Sequence, residues 1–316
     1  MNKLPTVIII AGPTAVGKTA LAIDLAQQLG AEIISADSRQ CYRELNIGVA
    51  RPTVQELQAV PHHFIASHSL HEHVTAAGFE RLSLDLTLEL FKKSSYVIMT
   101  GGTGLYIKSF MEGLDPIPPI PPEIRQSIQL SYETYGLPWL QEQVQQLDPL
   151  FWNQAEQQNP RRLQRALEVY QATGQSILHF RNTEKVQRPF LILPFCLTMP
   201  SPMLRQRIDQ RVDVMMAAGF LNEVRQLLPF RELPALQTVG YRELLEHLDG
   251  KFSLEEAVQK IKINTWQYAK RQMTWWKKQP DFVFLPALEQ PLDSILAHIE
   301  KTRVDPAREN IYMNSD

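Results

Sequence analysis

The sequence predicts an α/β fold: a parallel sheet flanked by helices, with an all-helical domain inserted into it. Three observations carry this. Short apolar runs at residues 6–11, 32–35 and 96–99 alternate with helical periodicity between residues 5 and 113, the pattern of strand–helix–strand units and so of parallel pairing. At Asp115 the composition changes, and the eight residues to Pro122 hold five prolines, a semi-rigid spacer. From residue 123 to about 187 the chain is helical and strand-poor, until the apolar run Phe190–Leu197 returns it to the sheet. The expected organisation is a core at 1–113, an inserted helical domain at 114–188, a second and mostly helical part of the core at 189–303, and a disordered tail at 304–316.

Taken in order, the first strand, Thr6–Ala11, runs into Gly12-Pro13-Thr14-Ala15-Val16-Gly17-Lys18-Thr19, and a helical pattern opens at Leu21. Strand, glycine loop and helix together make G-x-x-x-x-G-K-T a phosphate-binding loop, and the sheet P-loop NTPase-like. Gly12 and Gly17 let successive N–H groups turn inward. The positive end of the helix faces the same concavity. Lys18 adds a mobile charge, and the Thr19 hydroxyl is placed to ligate Mg²⁺. The second strand, Glu32–Ser35, ends in the polar loop Asp37-Ser38-Arg39-Gln40. A helix is expected over Phe79–Lys93, with apolar residues at 79, 82, 86 and 90. The strand Tyr96–Met99 is followed by Gly101-Gly102-Thr103-Gly104. Ligands of parallel sheets sit beyond the carboxyl ends of the strands, so the three loops should converge on one crevice. The last strand is expected through Phe282–Leu285.

Composition narrows the class. The chain has 316 residues, 44% hydrophobic, and a net charge of −2, so any nucleic-acid site is a local patch rather than a global field. Cys41 and Cys196 are too few for a disulfide scaffold. With no signal-peptide pattern and no membrane-length apolar run, a cytoplasmic protein is expected. Charge is polarised locally. Residues 123–160 carry one basic side chain against five acidic, and residues 161–188 carry six basic against two acidic, so the insert should present a basic face. Lys260–Lys278 holds six basic residues and no acidic one, interleaved with Trp266, Tyr268, Trp275 and Trp276. Such interleaving suits RNA, and it equally suits a helix whose aromatics enter the core. His62, His63, His68, His71 and His73 fall within twelve residues, but zinc needs a liganded geometry and usually cysteine or carboxylate company, so a zinc site is not the expected reading.

An enzyme that moves a γ-phosphate usually has an acidic Mg²⁺ ligand at the end of a buried strand. Here that end reads Thr100-Gly101-Gly102-Thr103. The nearest carboxylate is Asp37, able to ligate Mg²⁺ or to act as a general base. Arg207 and Arg211 share one helix face, yet Asp209 and Asp213 interleave with them, so a salt-bridged surface helix is the plain alternative.

Several stretches stand out together: Gly12–Thr19, Ser35–Gln40 with Tyr42-Arg43, Pro61-His62-His63, Gly101–Tyr106, Pro160-Arg161-Arg162, Arg207–Glu223, Gly240–Glu243 and Ala269–Gln272. In this order they resemble the tRNA dimethylallyltransferase family, also called tRNA isopentenyltransferases. The resemblance implies transfer of a dimethylallyl group from dimethylallyl diphosphate to N6 of the adenosine 3′ of the anticodon. The glycine loop would then hold a diphosphate leaving group, with Mg²⁺ on Thr19. Asp37 would serve as base or orienter at N6, Thr103 would contact the adenine or the bridging oxygen, and Arg211 would face the diphosphate. Asp37, Ser38, Arg39, Gln40, Thr103, Arg125, Asn159, Pro160, Arg161, Arg162 and Leu163 match positions that contact tRNA. No membrane and no obligate protein partner is implied. The chain departs from the family at Trp266, where Arg is common, and at Ala66, where Asp is common. A small-molecule or nucleoside kinase using ATP is the alternative reading, and a non-catalytic RNA-binding protein a third.

Overall fold

The computed structural model describes residues 4–181 and 185–303; the tail expected to be disordered, 304–316, lies outside them. Strand β1, Thr6–Ala11, buries all six side chains. It is followed by α1 at Lys18–Leu29, β2 at Glu32–Ser35, α2 at Val54–Ala59 and β3 at His62–His63. Next come α3 at Ala76–Phe91, β4 at Tyr96–Gly101 and α4 at Gly104–Glu112. The inserted segment holds α5 at Pro122–Leu147, α6 at Pro149–Trp152 and α7 at Pro160–Thr173. The chain returns through β5 at Leu191–Thr198, α8 at Ser201–Ala217, α9 at Phe220–Gln226, α10 at Tyr241–Leu248 and α11 at Leu254–Trp276. Strand β6, Val283–Pro286, and α12, Pro291–Arg303, complete it.

The strands form one sheet in the order β3-β2-β4-β1-β5-β6, and every pairing is parallel. This explains the unbroken apolar runs of β1 and β4: both faces of a parallel sheet are covered. Alternate residues of β1 enter opposite cores. Val7 and Ile9 join Met99, Phe79, Phe110 and Trp276 on one face. Ile8 and Ile10 join Ile98, Leu25, Leu193 and Ile295 on the other.

Contacts divide the chain into two units, residues 1–111 with 187–316, and residues 112–186. The smaller unit has its own core of Ile128, Leu140, Val144, Phe151, Leu163 and Leu167. Its long helix α5 is broken at Gly136, at φ 73°, two residues before Pro138. The break follows from Pro, which removes a backbone donor and clashes with the preceding turn.

Two elements differ from expectation. Helix α2 has no buried residue, so hydrophobic periodicity gives no sign of it. A capping box holds it instead: the Thr53 hydroxyl accepts from Glu56 N, and the Glu56 carboxylate accepts from Thr53 N. Strand β3 is two residues long and exists through its pairing with Ile33 and Ile34 of β2.

Candidate active site

Register sets the site. Ala11 of β1 lies level with Gly101 of β4, and Ser35 of β2 with Thr100. The residues that leave these strands, Gly12, Ala36 and Gly102, therefore emerge side by side. The approach of the last two loops needs glycine: a β-carbon on Gly101 would sit 2.2 Å from the Ala36 carbonyl oxygen. Ala36 N donates to Thr100 O at 2.7 Å, and Thr103 N donates to Ala36 O at 3.3 Å.

Residues 12–19 curl as a phosphate nest. Gly12 and Gly17 take φ values of 145° and 108°. The Lys18 ammonium donates to Pro13 O at 2.7 Å, which folds it back over the loop. Burial, with the neighbouring Arg211 charge, brings Lys18 down to about 8. An anion in the nest reverses that pressure, so Lys18 takes up its proton as the anion binds. We expect the affinity for a fully ionised diphosphate monoester to hold up to pH 8 and to fall above it by up to about tenfold per pH unit. Titration calorimetry between pH 7 and 9.5 reads this directly. A flat profile in the wild type, or an unchanged slope in Lys18→Met, contradicts it.

Asp37 opens a tight turn. Its Oδ1 accepts from Arg39 N at 2.8 Å and from Gln40 N at 3.2 Å, the Asx-turn geometry. The plain reading of an Asp in a turn and the functional reading therefore hold together, because these bonds use one carboxylate oxygen. Ser38 N donates to Thr103 Oγ1 at 3.1 Å, so Thr103 pins the Asp37 turn to the loop after β4. Gln40 is spent on structure: its Nε2 donates to Val49 O and Ala50 O, and its Oε1 accepts from Ser35 Oγ. The Gln40 amide therefore braces the 49–50 loop rather than offering itself to a base edge.

Two of the three arginines of helix α8 reach the nest. Arg211 Nη1 lies 3.3 Å from Thr14 Oγ1, and Arg207 Nη1 lies 3.4 Å from Val16 O. The aspartates between them turn elsewhere, Asp209 to Arg205 at 3.1 Å and Asp213 to Lys262 at 2.6 Å. The salt-bridged reading thus describes one edge of the helix, and the arginine pair describes the other.

One further residue closes the arrangement. Gln272 of α11 is buried, with Oε1 accepting from Thr14 N at 2.9 Å and Nε2 donating to Gly102 O at 3.0 Å. It ties the nest to the loop that carries Thr103. Sequence reasoning assigns it no role, although a glutamine on the face shared by Ala257, Ile261, Ala269 and Trp276 is a visible signal. Trp276 is in the core, Trp275 packs under Gly104, and Trp266 packs on the second core. The basic-aromatic run is therefore mainly a packed helix. Lys262 is held by Asp213, and Lys270 lies over the Trp266 ring.

Two adjoining cavities fill this end of the sheet. A polar one, about 270 Å³, is lined by Lys18, Thr19, Asp37, Gly102, Arg211 and Gln272 among others. A second, about 330 Å³, is lined by Val212, Met215, Phe220 and Ile261 together with polar residues that include Ser38, Arg39, Thr238 and Thr265. Thr14, Asp37, Val49, Ala50, Arg211 and Tyr268 line both. Among the described residues no group of three His, Cys, Asp or Glu side chains is placed to hold a metal ion. Cys41 and Cys196 are buried free thiols, pushed up to about 12 by burial.

In the helical unit the residues matched to tRNA contact divide by role. Asn159 caps α7, its side chain accepting from Arg162 N, and Pro160 is the first helical residue. Leu163, 0% exposed, is core. Arg161 and Arg162 are exposed. Arg125 and Arg165 both face Glu168, at 3.8 Å and 3.1 Å. Arg188, counted with the basic face in sequence, belongs to the larger unit, where it pairs with Glu80 at 2.7 Å and donates to Ser109 O and Phe110 O.

A family model described as IPP transferase matches residues 40–279. The chain belongs to the IPP transferase family. A tRNA dimethylallyltransferase of Christiangramia forsetii is 44% identical over 272 residues, 86% of this chain and 90% of the relative. A tRNA isopentenylpyrophosphate transferase of Bacillus halodurans, of known crystal structure, is 31% identical at a TM-score of 0.70, covering 95% of this chain and 98% of that one. A eukaryotic dimethylallyltransferase captured in crystals acting on tRNA is 29% identical at a TM-score of 0.75, covering 90% of this chain and 75% of that one. The family model begins at Gln40, so the phosphate loop and Asp37 lie N-terminal to the matched region, and their assignment here rests on geometry.

Proposed function

We propose that this chain transfers the dimethylallyl group of dimethylallyl diphosphate to N6 of the adenosine 3′ of the tRNA anticodon, releasing diphosphate. One observation carries the reading. The phosphate nest adjoins a cavity whose lining includes the apolar side chains Val212, Met215, Phe220 and Ile261, and Asp37 and Arg211 line both. A phosphoryl-transfer enzyme usually places an acidic Mg²⁺ ligand at the end of a buried strand, and β4 ends in Thr100 and Gly101; a nest beside apolar side chains calls instead for a ligand with a charged and an apolar half. An allylic diphosphate has both halves.

The chemistry follows from that placement. Lys18, Arg211 and the nest N–H groups hold the diphosphate. The N6 lone pair attacks C1 of the allyl group, the C1–O bond breaks, and its electron pair leaves on the bridging oxygen. N6 then carries a surplus proton, and the second oxygen of Asp37 takes it. Fixed positive charge around the departing diphosphate is the term expected to dominate the rate. The Thr19 hydroxyl lines the polar cavity with Asp37, a donor set that fits a Mg²⁺ held largely by substrate oxygens and water rather than by a protein cage. Bound there, the ion would supply further charge for the leaving group.

The acceptor base must leave its stack to reach this depth, at a cost of a few kcal/mol. Ser38, Arg39 and Thr103 offer polar groups beside Asp37, and Arg161 and Arg162 offer phosphate contacts on the helical unit. No helix among the described residues is long and apolar enough to cross a membrane, which suits a cytoplasmic enzyme of tRNA. Incubating the protein with unmodified tRNA and either labelled dimethylallyl diphosphate or γ-labelled ATP tests the proposal. Label passing from the prenyl donor into tRNA is expected, and label passing only from ATP refutes it. Replacing Arg161 and Arg162 together by Ala should weaken tRNA binding. It should also flatten the plot of log affinity against log salt by about 1.5 to 2 in slope. An unchanged slope removes both residues from the RNA footprint.

A further inference from the structure

Among the apolar residues that line the second cavity, Phe220 is held in a specific way. Phe220, 1% exposed, opens helix α9 and lines the cavity. Behind its ring stands Tyr241, edge-on at 5.1 Å between centroids and an angle of 83°. Tyr241 is itself buried, and its hydroxyl donates to Glu223 Oε1 at 2.6 Å. The same carboxylate accepts from Ile47 N at 2.7 Å and Gly48 N at 3.2 Å. The ring is also gripped at its edge. A β-carbon on Gly48 would lie 2.2 Å from Phe220 Cε2, and one on Gly240 would lie 3.0 Å from Phe220 Cζ. Gly240 sits at φ 96°, a conformation glycine adopts without strain. An aromatic plate held by two glycine backbones, a buried tyrosine and a clamped loop has no room to swing aside.

The site's other end is fixed by the phosphate nest. A substrate tail therefore runs from a fixed charged head toward a fixed apolar wall, and at about 330 Å³ the chamber is at the small end of ligand pockets. Val212, Met215, Phe220 and Ile261 are its apolar residues and the ones suited to the tail, while Asp37, Ser38 and Arg39 of the same lining are left to the acceptor base. Resting on the proposed prenyl transfer, we infer that Phe220 sets the chain length of the donor, admitting a five-carbon allylic diphosphate and excluding one longer by an isoprene unit.

The test gives the full-length protein unmodified tRNA with dimethylallyl diphosphate or with the ten-carbon geranyl diphosphate, and measures kcat/KM for each. The wild type should use the five-carbon donor almost alone. Phe220→Ala and the milder Phe220→Leu should shift the ratio toward the ten-carbon donor by about 10- to 200-fold, the range that misfitting carbons command in an apolar pocket. If Phe220→Ala does not fold, Phe220→Leu carries the comparison, with its melting curve as control. A folded Phe220→Leu protein that still rejects the longer donor, or loses both donors alike, overturns the inference. A wild type that labels tRNA from neither donor speaks against prenyl transfer itself, and so is distinguishable.

Discussion

Asp37→Ala should lower kcat by about 10²- to 10⁴-fold, the usual worth of a positioned general base, and leave tRNA affinity nearly unchanged. Alanine alone is an ambiguous probe here. Asp37 Oδ1 accepts from the backbone of Arg39 and Gln40, so alanine removes a turn as well as a carboxylate. Asp37→Asn separates the two. Its amide oxygen can take both backbone bonds, and its NH₂ replaces the oxygen that would receive the N6 proton. The asparagine variant should match the wild type in melting temperature and in tRNA binding, yet match alanine in its loss of turnover. Single-turnover rates with saturating tRNA make the comparison. Substantial turnover in Asp37→Asn would mean that the carboxylate only orients the amine.

The sheet was legible because a parallel strand declares itself: β1 and β4 are buried on both faces and read as unbroken apolar runs. Convergence of the three loops followed from the same fact, since parallel strands place their carboxyl ends on one side. The illegible parts depend on partners distant in the chain. Gln272 meets Thr14 across 258 residues and Gly102 across 170, and no local pattern encodes such a pairing. Glu223 meets Ile47 in the same way, across 176 residues, beneath Phe220. Charge counts misled for a related reason. A window of sequence counts Arg188 with the insert and Lys262 with the basic run, although each is neutralised by a carboxylate from another element, Glu80 and Asp213. Leu163 enters the recognition stretch by matching a position that contacts tRNA, and the helical period turns its side chain into the core.

The nest itself does not define the reaction. What redirects it is the wall opposite. Among the strand ends, β4 offers Thr100 and Gly101 where a phosphoryl-transfer enzyme would place an acid. The carboxylate stands instead on the turn after β2, beside a chamber with apolar side chains in its lining. The bond set to break in this setting is carbon–oxygen.

Arg211→Gln should cost about 10²- to 10³-fold in kcat/KM, the loss seen when one donor to a developing anion is removed. The stability of the empty protein should move the other way or not at all. Burial holds the Arg211 guanidinium below its usual range, and its charge opposes that of Lys18. Two cations crowded into one cleft are a standing cost that a bound diphosphate relieves, so the site trades stability for affinity. The two states separate in a melting experiment. At a diphosphate concentration 100 times the dissociation constant, the wild type gains about 2.7 kcal/mol, or about 5–10 °C in Tm for a domain of this size. If Gln at 211 weakens binding about 100-fold, the same concentration gives about 0.4 kcal/mol, and the shift shrinks to about 1 °C. The apo variant should melt no lower than the apo wild type. A variant that melts several degrees lower when empty, yet keeps the full diphosphate shift, would show that Arg211 holds helix α8 against the loop and does not hold the leaving group.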